Sequence, residues 1–199
     1  MKILIDNGHG VNTPGKCSPD GRIKEWDYTR EIAERVVACL RCKGYDAERI
    51  VTEDKDISLS ERCRRVNKWC DLLGREHVCF VSIHLNAAGS DGKWHNATGW
   101  EAYTSKGLSA GDALANHLYD AAEQTFAGKK IRTDWTDGDR DKEASFTVLT
   151  GTKCAAVLTE NFFMDGTDDA RFLLSEAGKQ AIVTAHVHGI MGYVESGIY

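Results

Sequence analysis

Three short apolar runs, KILID at 2–6, VCFVSI at 78–83 and AAVLT at 155–159, most constrain the fold. Runs of this length without polar alternation are characteristic of strands covered on both faces. Helical spacing separates them. Residues 25–42 carry Ile32, Val36, Val37 and Leu40 on one face and stop before Gly44. Ser58 followed by Glu61 is a capping box ahead of a helix that turns Leu59, Cys63, Val66 and Cys70 inward. Residues 108–126 repeat the pattern with Leu114, Leu118 and Ala122. Further strands are read at 45–52 (YDAERIVT), 99–105 (GWEAYTS) and 146–150 (FTVLT), with helices from Asp168 to about Tyr193. A polar stretch rich in Asp, Gly and Thr covers about 128–143. This alternation predicts an α/β fold: a single domain over 1–199, with a twisted, mostly parallel or mixed sheet of about six strands and helices on both faces. Hydrophobic residues at 42% and only two prolines suit one continuous core. No repeat and no linker interrupts it.

A formal charge of −5 argues against nucleic-acid binding, which needs a basic face. MKILIDNGHG is too short in apolar residues for a signal peptide, and no stretch approaches the roughly 20 apolar residues that span a bilayer. The expectation is a protein made in the cytoplasm, without a membrane span, that acts elsewhere only after release or delivery. Seven cysteines cannot all pair internally, and the CLRC spacing at 39–42 falls within a helix. These read as ordinary thiols of a reducing compartment.

Open sheets bind ligands where strands end. His9 follows the first strand, His84 ends the central one, and Glu160 ends the buried run AAVLTE. Glu25 opens the first helix, which must pack back beside the first strand. A hydrolytic zinc site uses three ligands of the His/His/carboxylate kind and keeps one position for water. A further carboxylate, off the metal, carries the proton from water to the leaving group. His9, Glu25 and His84 suit the ligands of one Zn²⁺ ion, and Glu160 suits the base. Gly8 and Gly10 permit a tight turn around His9. Each signal alone is weak: a histidine after a strand is more often a loop or core residue, and Glu25 at a helix start could serve the macrodipole. Glu160 is more telling, because burying a carboxylate is costly unless it is paired or functional.

Taken in order, KILIDNGHG, Glu25, SLSERCRRVN, FVSIHLNA, GWEAYTS, FTVLT and AAVLTENFFMDGTDD resemble the zinc-dependent N-acetylmuramoyl-L-alanine amidases of the Amidase_3 type over almost the whole chain. The resemblance implies zinc on His9, Glu25 and His84, a catalytic Glu160, and a six-stranded twisted sheet. It implies as substrate peptidoglycan, cut at the amide between the lactyl group of N-acetylmuramic acid and L-alanine. With no signal peptide or wall-binding repeat, the chain looks more like a phage endolysin or a mother-cell lytic enzyme than a secreted autolysin. VNTPGKCSPDGR replaces the Gly-rich stretch common after the first His, and ENFFMDGTDD lacks the glycine many relatives carry after the Glu. Both departures fall on substrate loops. A zinc exopeptidase on a similar sheet would reuse the same ligands, yet no basic residue clearly supplies a pocket for a terminal carboxylate. A non-catalytic wall-binding module would not need all four residues.

Asn86, two residues after His84, and Asn161, beside Glu160, are candidates to orient substrate. Arg62 matches a recurrent family arginine and is expected to have a structural partner. His77, His95, His117, His186 and His188 read as ordinary surface or core residues. Asp134, Trp135, Asp137, Asp139, Arg140 and Asp141 either line a groove for the stem peptide, with Trp94, Trp100 and Trp135 stacking there, or form a solvated loop. DWTDGDRD lacks the EF-hand pattern and its closing Glu, so no calcium loop is expected.

Overall fold

The computed structural model describes residues 1–136 and 138–197. Strands β1 (Lys2–Asn7), β2 (Asp46–Arg49), β3 (Val78–Asn86), β4 (Trp100–Thr104), β5 (Lys142–Glu143) and β6 (Ala155–Phe163) form one sheet in the order β2-β1-β3-β6-β4-β5. β1, β2, β3 and β6 run parallel, β4 is antiparallel to β6, and β5 is parallel to β4. The helices are α1 (Glu25–Cys42), α2 (Leu59–Leu73), α3 (Gly111–Thr125), α4 (Thr147–Thr150), α5 (Thr167–Leu174) and α6 (Glu176–Ser196). The mixed α/β sheet agrees with the sequence reading.

The three apolar runs became the three central strands, because each is covered twice. On one face Ile3, Ile5, Val81, Ile83 and Val157 pack with Ile32 and Val36 of α1, Leu114 and Leu118 of α3, and Ile182 of α6. On the other, Leu4, Phe80 and Leu158 meet Val66 and Cys70 of α2 and Val148 of α4. The Ser58 hydroxyl accepts the Glu61 amide at 3.3 Å. Only half of the capping box forms, since the Glu61 carboxylate turns to Arg64 and Arg65.

FTVLT is not a strand. Residues 147–150 make the single turn α4, which buries Val148 and Leu149 against α2. Cys63 Sγ donates to the Thr147 carbonyl at 3.3 Å, and Asn67 Nδ2 to the Gly151 carbonyl at 2.8 Å. This docking overrides the β-propensity of Phe, Thr and Val. The sixth strand is instead Lys142–Glu143, an edge too short to show periodicity. The final helical stretch divides at Ser175, whose hydroxyl accepts the Gly178 amide and starts α6. Among the described residues all cysteines are free and no helix is long and apolar enough to cross a membrane.

Asp137 lies outside the described residues, but its neighbours carry a prediction. Asp139 and Asp141 come beside Asp112, with one oxygen of each within 4.8 Å of the others. Asp141 is buried; its Oδ2 accepts from Thr104 Oγ1 at 2.6 Å while its Oδ1 has no partner. Burial pushes the Asp141 carboxyl up to about 7, opposed by the Thr104 bond and reinforced by Asp139 and Asp112. A raised carboxyl in the folded state leaves stability intact below the unfolded value of 3.8 and removes it as pH rises to about 7. Asp141→Asn should therefore be more stable than wild type at pH 8, by on the order of 1–3 kcal/mol, with little gain at pH 4. Thermal melts at the two pH values measure this, and an equal shift at both contradicts it.

Candidate active site

The loop after β1 is built to present His9. Its φ of +63° lies in the left-handed region, which costs a non-glycine residue about 1 kcal/mol or more. Surrounding bonds hold it there. The Gly8 amide donates to the Ile83 carbonyl at 3.1 Å, Thr29 Oγ1 to the Gly8 carbonyl at 3.1 Å, and Arg62 Nη2 to the His9 carbonyl at 3.3 Å. A Cβ on Gly8 would fall 2.3 Å from the His84 ring, and one on Gly10 2.0 Å from the Asp56 amide nitrogen. Both positions need glycine.

Glu25 is the first residue of α1 and is 1% exposed. Its Oε1 accepts the Leu85 amide at 3.0 Å and lies 3.2 Å from His84 Nδ1. Its Oε2 lies 3.3 Å from His9 Nε2 but has no hydrogen-bond partner. The two imidazole rings stand edge to face with centroids 5.1 Å apart. Burial pushes the Glu25 carboxyl up, but the imidazoles of His84 and His9 beside it outweigh burial and hold it far below the usual carboxylate range.

A chain of polar side chains stands behind His84. The Ser82 hydroxyl donates to Asp6 Oδ2 at 2.6 Å, so it offers only lone pairs to His84 Nε2, 3.1 Å away. A proton on His84 Nε2 is thereby favoured, and Nδ1 faces Glu25. Either a proton on Nδ1 or a cation bound there satisfies the Glu25 carboxylate 3.2 Å away. Asp6 is in turn paired with Arg62, and both are almost fully buried (1% and 2% exposed). Arg62 also donates to the carbonyls of Ile57 at 2.9 Å and Asn7 at 2.8 Å and pairs with Asp56 at 2.9 Å. The partner expected for Arg62 is thus Asp6.

Glu160 on β6 stands opposite His84 of β3 and Glu101 of β4 in the sheet register. It is half-buried, and its Oε2 is out of solvent with no partner. Burial pushes its carboxyl well above the usual range; the Glu25 charge adds, Lys16 pulls back and Glu101 adds again. A cleft of about 350 Å³ opens over this group, with His9, Lys16, His84, Phe146, Leu158 and Glu160 in its walls. The three residues His9, Glu25 and His84 could hold a divalent metal on these grounds, and Glu160 faces the same space from the next strand.

Residues 3–191 match the Amidase_3 family of N-acetylmuramoyl-L-alanine amidases. The chain belongs to this family. It is 30% identical over 195 residues to the N-acetylmuramoyl-L-alanine amidase CwlM of Bacillus licheniformis, covering 96% of this chain and 67% of that one. It is 30% identical over 193 residues to the endolysin of Bacillus phage SPP1, covering 94% and 64%. The chain thus spans about two thirds of the length of these relatives. Among solved structures, the N-acetylmuramoyl-L-alanine amidase AmiC2 of Nostoc punctiforme superposes with a TM-score of 0.79 at 27% identity, covering 98% and 97% of the two chains.

Other residues of this amidase-family chain sit where the sequence did not lead. Asn161 is fully buried, with Nδ2 donating to the His84 carbonyl at 3.0 Å and Oδ1 accepting from Trp100 Nε1 at 2.9 Å. It stabilises the β3–β6–β4 junction from the face opposite Glu160 and does not reach the cleft. Asn86 commits its amide to Glu101 Oε1 at 2.7 Å. Trp100 is buried against Tyr119, with centroids 5.0 Å apart, so it stacks on the core and not on a ligand. His186 is a core residue, bonded to Thr159 Oγ1 and the Ile182 carbonyl and pushed down to about 4 by burial. Sequence reasoning missed Ser82, Asp6 and Glu101. The available signal was a polar residue at an inward position of an otherwise apolar strand.

Proposed function

We propose that the chain hydrolyses the amide between N-acetylmuramic acid and L-alanine in peptidoglycan, with one zinc ion held by His9, Glu25 and His84 and with Glu160 as proton carrier. The supporting observation is that the buried Glu25 carboxylate lies 3.2 Å from His84 Nδ1 and 3.3 Å from His9 Nε2, with one ligand atom of each residue within 4.8 Å of the others. A His/His/carboxylate set fits a divalent cation. When bound, zinc supplies Lewis-acid polarisation of the scissile carbonyl and of water.

The remaining steps belong to the protein's own side chains. Glu160 takes the proton of the attacking water as its oxygen bonds the lactyl carbonyl carbon. Glu160 then returns that proton to the amide nitrogen as the carbon–nitrogen bond breaks, leaving a lactyl carboxylate and a free L-alanine amine. The Ser82–Asp6–Arg62 chain favours the ligating tautomer of His84. Phe146 and Leu158 make the wall beside Glu160 apolar, which strengthens the electrostatics within it. The names of the relatives, cell-wall amidases and a phage endolysin, support the same substrate.

Digestion of purified peptidoglycan tests the reading. New L-alanine amino termini without new reducing sugar ends are expected. Loss on chelation and recovery with one equivalent of zinc should accompany them. Release of single C-terminal amino acids would make the protein an exopeptidase, and wall binding without products would make it a binding module.

A further inference from the structure

One strand beyond Glu160, toward the edge of the sheet, lies a buried carboxylate held by two cations. Glu101 stands opposite Glu160 in register and is 2% exposed. Its Oε2 accepts from Arg132 Nε at 2.5 Å and pairs with Lys142 Nζ at 2.7 Å. Its Oε1 accepts from Asn86 Nδ2 at 2.7 Å and Tyr103 OH at 2.9 Å. Within this cluster the two cations exceed the single carboxylate by one, with Glu160 opposite Glu101 and Asp134 near Lys142 as the surrounding acids.

Arg132 is fixed for a further partner. Only its Nε is used; neither Nη has a hydrogen-bond partner among the described residues, and the guanidinium lies 5.2 Å from the Phe163 ring centroid. The side chain is 30% exposed, and that of Lys142 22%. A guanidinium anchored through Nε and stacked on a ring presents its two Nη groups as a planar fork, the geometry that binds a carboxylate in two parallel hydrogen bonds.

The sheet gives the distance from the chemistry. Ile131 bridges to Trp100, which sets Arg132 beside Glu101. His84, Glu160, Glu101 and Arg132 therefore form a row across one face, with neighbouring strands about 4.8 Å apart. The Arg132 backbone lies two such steps, roughly 10 Å, from that of Glu160, about three residues of extended peptide, and its side chain reaches back to Glu101, one step away. A pocket for the terminal carboxylate of an exopeptidase substrate would have to lie within one residue of the scissile bond, roughly 3.3 Å. The cations that the sequence reading did not single out thus lie one strand beyond Glu160.

We propose that Arg132 and Lys142 bind a carboxylate of the leaving peptide two to three residues beyond the scissile amide, so that the protein selects stems carrying a free acid there over stems carrying a carboxamide. This rests on the amidase reading above.

The test compares kcat and KM of the zinc-loaded protein on matched muropeptides with a free acid or a carboxamide at the second and third stem residues. The free acid is expected to be preferred by about 10- to 100-fold in kcat/KM, mainly through KM, as for a charge-assisted hydrogen bond. Arg132→Gln and Lys142→Gln should each shrink that preference several-fold, and Arg132→Lys, which keeps the charge without the fork, should restore only part of it. Circular dichroism of each variant confirms folding. Equal rates on acid and amide, or an unchanged preference in both Gln variants, overturns the site while leaving the amidase reading standing. No hydrolysis of any muropeptide overturns both.

Discussion

On the proposed mechanism, Glu160→Gln is expected to hold as much zinc as wild type and to lose about 10²- to 10⁴-fold in kcat on peptidoglycan. Glutamine keeps the shape and register of the side chain opposite His84 but cannot take a proton from water. The unpartnered Oε2 means that the substitution breaks no hydrogen bond through that atom. It also removes a charge that burial and Glu25 disfavour. The variant should therefore melt no lower than wild type while being nearly inactive. Metal analysis, a thermal melt and single-turnover rates measure the three quantities. Activity within three-fold of wild type would remove Glu160 from the proton path, and loss of metal would make it a ligand instead.

Arg62→Met should be the most destabilising single change near the site. It leaves Asp6, 1% exposed, as an unpaired buried charge, a defect that costs about 3–5 kcal/mol out of a total stability of 5–15. In a chain of this size that lowers the midpoint by roughly 6–20 °C. The carbonyls of Asn7, His9 and Ile57 lose their donor as well, which frees the strained His9 turn and should weaken metal binding. Adding Asp6→Asn to the Met variant should recover part of the loss, because the orphaned charge goes with it. A single variant within 1 kcal/mol of wild type in denaturant melts would show that solvent reaches Asp6 and that the pair is not structural.

The elements legible in the sequence were those whose signal is local. KILID, VCFVSI and AAVLT declared themselves as doubly covered strands, and α1 and α2 by apolar spacing with Gly44 and Ser58 at their ends. Of four residues placed at strand ends and a helix start, His9, His84 and Glu160 line one cleft and Glu25 lies buried against the two histidines. That convergence was foreseeable because strand C-termini of such a sheet share one edge. The errors have equally specific causes. FTVLT has strand composition, yet Cys63 and Asn67 of α2 dock it as a helical turn. Asn161 follows Glu160 in sequence, and neighbouring residues of a strand point to opposite faces, so adjacency sent it into the core.

The order of apolar and helical segments, read without coordinates, thus determined the α/β class, the central strands and the edge where chemistry gathers, since each follows from periodicity and from where strands end. Only the folded chain decided that Ser82 and Asp6 stand behind His84 Nε2 and Glu25 beside its Nδ1. It alone decided that Arg132 and Lys142 meet over Glu101, since groups 31 and 41 residues apart along the chain share a carboxylate only once β4, β5 and the segment at Ile131 are paired. Periodicity reports which face a residue takes; which residues from distant segments share that face is set by strand register and loop path.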